Sequence, residues 1–141
     1  MLTIQDIAYY LQQNTRNKIV FCRESIDGIR FINVGLELSQ ILGENPDDID
    51  GADTAYKQVL GQSQENSVIG MYLALENIGI LFEPDLRLDV RSIFDTYSKN
   101  QCLIVKTDAE IANDKFYFLH TGDGTEINLR GLSYQLLENN E

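Results

Sequence analysis

The sequence predicts an α/β protein: a mostly parallel sheet flanked by helices, followed by an antiparallel hairpin near the C-terminus. Three observations predict it. Short apolar runs alternate with amphipathic stretches through residues 1–107, the habit of βαβ units. One run, Met71 to Leu75, is unbroken, which marks a strand buried on both faces. After residue 108 the chain changes to short β-type segments separated by turn residues. The 141 residues fit one domain, with 1–107 as the α/β body and 108–137 as a hairpin-containing extension. A chain this long can hold a core without disulfides or metal.

The elements follow in order. Thr3 is a good N-cap, and Asp6 three residues on makes a box-like pair. Ile4, Ile7, Ala8 and Leu11 then share one helical face, flanked by Tyr9 and Tyr10. Lys18 to Cys22 is a short apolar strand. Asp27-Gly28 is a turn dipeptide, and Ile29 to Val34 reads as a second strand. Leu36, Leu38, Ile41 and Leu42 suit a helix that Gly43 ends. Asp53 is read as the cap of a helix carrying Ala55, Tyr56, Val59 and Leu60. The run Val68 to Leu75 allows a helix extension or a central strand, and its apolar continuity favours the strand. Glu83-Pro84-Asp85 breaks the chain. Asp89 caps a helix whose inner face is Val90, Ile93, Phe94 and Tyr97, ending near Asn100.

Cys102 to Lys106 is another apolar strand. Ala109 to Ala112 and Lys115 to Leu119 form a hairpin around Asn113-Asp114. Alternation there buries Phe116 and Phe118 and exposes Tyr117. A second turn at Thr121–Thr125 leads into Glu126 to Leu129, and Leu132 to Leu137 is a short terminal element.

The charge restricts function. The net charge is −11, from 22 acids and 11 bases. Phosphate contacts need clustered Lys and Arg, so direct nucleic-acid binding is not expected. A basic protein partner is compatible. Residues 44–53 hold five acids and no base. Asp47, Asp48 and Asp50 are therefore the candidate interaction residues. The stretch fails as a calcium loop: counting back from Gly51, the first ligand position falls on Pro46 and the twelfth on Lys57. No apolar run approaches a membrane span, and the N-terminal segment lacks the pattern of a signal peptide, so a cytoplasmic location is expected. Cys22 and Cys102 read as small buried hydrophobes. His120 is the only histidine and no Cys-x-x-Cys occurs, so no metal and no cofactor are expected. Ser25 and Ser39 have no base at a recognisable spacing.

Glu76 is the candidate centre. It is the carboxylate at the C-terminal end of the apolar run, and open α/β sheets bind ligands outside the carboxyl ends of their strands. The stretches Phe31-Ile-Asn-Val-Gly-Leu-Glu-Leu-Ser39 and Leu75-Glu-Asn-Ile-Gly-Ile-Leu-Phe-Glu-Pro-Asp-Leu-Arg-Leu-Asp89 resemble the small P-loop protein of BREX phage-defence systems. The resemblance covers about half the chain. It implies a P-loop-NTPase-like sheet with Glu76 at the Walker-B position.

The departure from that family is a whole unit. A P-loop needs Gly-x-x-x-x-Gly-Lys-Ser/Thr after the first strand, where backbone N–H groups cradle phosphates and the lysine neutralises them. Here Cys22 is followed by Arg23-Glu-Ser-Ile-Asp-Gly28 and then by the next strand. The resemblance therefore implies a degenerate fold that serves as a non-catalytic binding subunit with protein partners. Two alternatives stand beside it. One is an acidic decoy or inhibitor of a nucleic-acid-binding protein, acting through Asp47, Asp48 and Asp50. The other is an unusual nucleotide-dependent enzyme using Arg23, Ser25 and Glu76. Self-association is left open.

Overall fold

The computed structural model describes residues 2–44, 51–82, 88–117 and 126–138. The sequence readings at Asp47, Asp48 and Asp50, at Glu83-Pro84-Asp85, at Phe118, at His120 and at the 121–125 turn lie outside them. Four helices and nine strands occur among the described residues. The helices are α1 (Ile4–Leu11), α2 (Val34–Glu44), α3 (Gly51–Leu60) and α4 (Val90–Tyr97). The strands are β1 (Ile19–Cys22), β2 (Ile32–Asn33), β3 (Gln64–Asn66), β4 (Gly70–Glu76), β5 (Cys102–Lys106), β6 (Glu110–Ala112), β7 (Lys115–Tyr117), β8 (Glu126–Asn128) and β9 (Tyr134–Leu137).

The main sheet runs β2-β4-β5-β1-β9, all parallel, with β3 added antiparallel to the start of β4. The predicted α/β class and mostly parallel sheet are therefore present. Side chains alternate across it. Ile19, Phe21, Leu73, Leu75, Leu103 and Val105 enter one core, and Val20, Cys22, Tyr72, Ala74, Cys102 and Ile104 the other. On the first face lie α2, α3, α4 and the small sheet; on the second lie α1 and the crossover from β1 to β2. Both faces of β1, β4 and β5 are covered, which is why their sequences read as continuous apolar runs.

Several elements differ from expectation. The second strand shrinks from Ile29–Val34 to Ile32–Asn33, because Ile26, Ile29 and Phe31 are spent packing the crossover against the α1 face. Gly28 turns this crossover at φ +87°, with Ile29 N–H donating to Ile26 C=O at 3.0 Å. Val34 opens α2, which runs through Gly43 to Glu44, since one exposed glycine weakens a helix without stopping it. The next helix starts at Gly51, so Asp53 lies inside it and is not its cap. Tyr10 is buried and Tyr9 is 71% exposed, so only Tyr10 belongs to the inner face of α1. The last helix ends at Tyr97 and not at Asn100.

The region after residue 108 holds more than one hairpin. β6, β7 and β8 form a three-stranded antiparallel sheet. Asn113 and Asp114 both have positive φ, 55° and 60°, which is the twist a two-residue hairpin turn requires. Phe116 fastens this sheet to the body. It is fully buried, stacked on Phe82 at 5.8 Å and set edge-on to Phe94 at 5.9 Å. The chain then leaves the small sheet, and β9 pairs with β1 in the main one.

Candidate functional site

The strand ends define the site. Because β1, β2, β4, β5 and β9 are parallel, Cys22, Asn33, Glu76, Lys106 and Leu137 all sit at one edge. The chain leaves β1 toward β2 on one side, and β9 closes the sheet on the other. That divergence, between β1 and β5, is where an open α/β sheet offers a crevice.

The crevice is filled by the protein's own charges. The Lys106 ammonium lies 3.5 Å from a Glu76 carboxylate oxygen and donates to the Ser25 hydroxyl at 2.9 Å. It also sits 5.9 Å from the centre of the Phe31 ring. Beside it, Arg23 donates to the carbonyls of Thr107, at 3.1 Å, and Ala109. Its Nε lies 3.7 Å from Glu138 just beyond β9. Arg23 thus ties together the ends of β1, β5 and β9. The Thr107 N–H adds a bond to the Cys22 carbonyl at 2.9 Å. Burial pushes the Cys22 thiol up to about 11, partly opposed by Lys106, so the sulfur at this edge is no nucleophile near neutral pH.

Asn33, Gly35 and Asn77 form a second lock one strand away. Asn77 follows Glu76 in the left-handed conformation, φ 53°. Its carbonyl accepts the Gly35 N–H at 2.9 Å, and its side-chain amide donates to the Asn33 oxygen at 2.8 Å. The same Asn33 oxygen accepts the Leu36 N–H at 3.0 Å and so caps α2. Gly35 lets the helix start lie against Asn77, because a Cβ there would stand 2.9 Å from the Asn77 Cγ. The segments 31–39 and 75–89 are far apart in sequence, yet Asn33 and Glu76 are register partners.

A cleft of about 310 Å³ opens next to the lock, lined by Asn77, Ile78, Gly79 and Lys106 to Ala109. The structure brings together Ser25 and Glu76 through Lys106, and turns Arg23 toward the carbonyls behind them. Lys106 is the residue the sequence reading missed. Its signal was its place as the last residue of an apolar strand, the same place that singled out Glu76. Ser39 is exposed on α2 and apart from this edge. Among the described residues no three of His, Cys, Asp and Glu gather as a metal site, and no helix is long and apolar enough to cross a membrane.

No protein-family model matches the chain, and comparison with curated proteins and with solved structures yields no match.

Proposed function

We propose that this chain is a non-catalytic binding subunit: a P-loop-like fold without its phosphate-binding unit, serving protein partners in a bacterial phage-defence assembly. One observation carries the reading. Where β1 ends, residues 23–31 cross straight to β2 with no helix, and the lysine at the crevice is engaged by Glu76 and Ser25. A phosphate needs converging backbone N–H groups and an uncommitted cation. Arg23 is likewise committed, to two carbonyls. The strand order supports the P-loop-like part of the proposal, with the acid-ended β4 separated from β1 by a single strand. The pairing of Ile32 and Asn33 with Leu75 and Glu76, and the bond from Asn77 to Asn33, support it too, because they join the described parts of the two stretches that carry the resemblance.

Calorimetric titration with magnesium and ATP, repeated with GTP, tests the proposal. No saturable heat at millimolar nucleotide is expected. Micromolar affinity accompanied by hydrolysis would refute it and would favour an enzyme using Glu76.

A further inference from the structure

The main sheet ends at β9, and among the described residues β9 pairs with β1 alone. Alternate residues of a strand in a parallel ladder direct their N–H and C=O groups to opposite neighbours. Two contacts set the parity here. The Ser133 N–H points back to the β1 side, 3.5 Å from the Asn17 side-chain oxygen. The Leu136 carbonyl accepts from the exposed Gln135 side-chain amide at 3.2 Å. Residues 133, 135 and 137 thus address β1, and Tyr134 and Leu136 turn their backbone groups away from it. Gln135 covers one of those groups with its own flexible side chain.

Soluble proteins guard such edges with charge, proline or a covering element. The sequence of β9, Tyr-Gln-Leu-Leu, holds neither charge nor proline. A cleft of about 470 Å³ is lined by Leu132 to Leu136 together with Tyr10, Gln13, Thr15 and Asp114. Asp114 is the one charged side chain among the described residues lining it, and the Tyr134 hydroxyl holds it at 2.8 Å.

We propose that this edge docks an extended, basic segment of a partner protein, which joins the sheet as a further strand beside β9. The inference rests on the binding-subunit reading and gives that reading a surface. Backbone pairing supplies the affinity, as in other strand-addition complexes. Charge selects the occupant. The net charge of −11 attracts a cationic segment and opposes edge-to-edge pairing of two copies, and Asp114 anchors a basic side chain at the rim. Gln135 swings aside and yields the Leu136 carbonyl.

The test uses the full chain and a capped hexapeptide of alternating lysine and valine, followed by amide NMR and hydrogen exchange. The peptide is expected to shift the Tyr134 and Leu136 amides and to slow their exchange several-fold. A glutamate–valine counterpart should do neither, and nor should the lysine peptide methylated on alternate backbone nitrogens. Asp114→Asn keeps the turn and the bond from Tyr134, and should weaken lysine-peptide binding by about threefold at low salt. Unmoved Tyr134 and Leu136 amides at millimolar peptide would overturn the proposal, as would equal binding of the glutamate peptide. Protection that rises with protein concentration alone would also overturn it, by giving the edge to a second copy. Saturable nucleotide binding would instead refute the functional reading and leave a positive peptide result at β9 standing, so the two failures are distinguishable.

Discussion

Gly35→Ala tests whether the junction of β2 and α2 is a lock on the end of β4. The new methyl would lie 2.9 Å from the Asn77 Cγ and 3.2 Å from its carbonyl oxygen. Rotating the Asn77 amide away relieves the first contact and breaks its 2.8 Å bond to Asn33. The second contact remains, because the Asn77 carbonyl is bonded to the Gly35 N–H. Overpacking of this kind costs about 1–3 kcal/mol. The lost, exposed hydrogen bond adds about 0.5–1 kcal/mol. Alanine returns about 1 kcal/mol through its helix propensity. The net expectation is a loss of about 0.5–3 kcal/mol, read as a melting temperature lower by roughly 2–12 °C. Urea denaturation of the wild type, both single variants and the pair Gly35→Ala with Asn77→Gly checks it. Glycine at 77 suits the φ of 53° and removes the obstructing side chain, so the double variant should regain about 1 kcal/mol relative to additivity. A Gly35→Ala protein as stable as wild type, or strict additivity in the pair, would refute the lock.

Other consequences are independent of that one. Phe116→Ala should cost about 3–5 kcal/mol, and in the wild type the small sheet and the body should lose structure in one urea transition. Two separate transitions in the wild type would show that the small sheet is not anchored by this ring. The Ser92 N–H and hydroxyl hold the Asp89 carboxyl below its ordinary value. A depressed carboxyl contributes stability above its unfolded-state pKa and loses it as pH falls through the folded value. Asp89→Ala should therefore cost about 1 kcal/mol at neutral pH and progressively less in acid. Asp89→Asn should keep most of the cap and flatten that part of the stability–pH curve. Burial pushes Cys102 up to about 12 and Cys22 to about 11, so a thiol reagent at pH 8 should label neither in the native protein and both in urea.

The sequence made the centre of the fold legible and its margins much less so. β4, β5 and β1 are buried on both faces, so each appears as an apolar run whose meaning does not depend on its partners. Asp89 was legible as a cap because capping is local: the carboxylate reaches only three residues along the chain. β3 was missed. Its Gln-Glu-Asn sequence has no apolar alternation, and its strand character comes from pairing with Met71 and Tyr72. The place of β9 was equally hidden. Its partner lies more than a hundred residues earlier, and nothing local distinguishes a main-sheet edge from a small-sheet strand. At the site, Glu76 stood out as an acid ending an apolar run. Lys106 ends one too, but its role depends on β4 and β5 being neighbours, which only the strand order reveals. Arg23 was legible as a charge after β1 and not as a clasp, because the carbonyls it holds lie more than eighty residues away.

The measurement that bears most directly on the closed carboxyl edge is an amide NMR titration of the intact protein with magnesium and ATP. The amides of residues 22–28, 76–79 and 106–109 surround the crevice. They should stay in place up to millimolar nucleotide, because Lys106 and Arg23 are already engaged. Saturable shifts clustered on those residues, lost in Lys106→Met, would mean that the edge opens to take a phosphate and is not closed by its own charges.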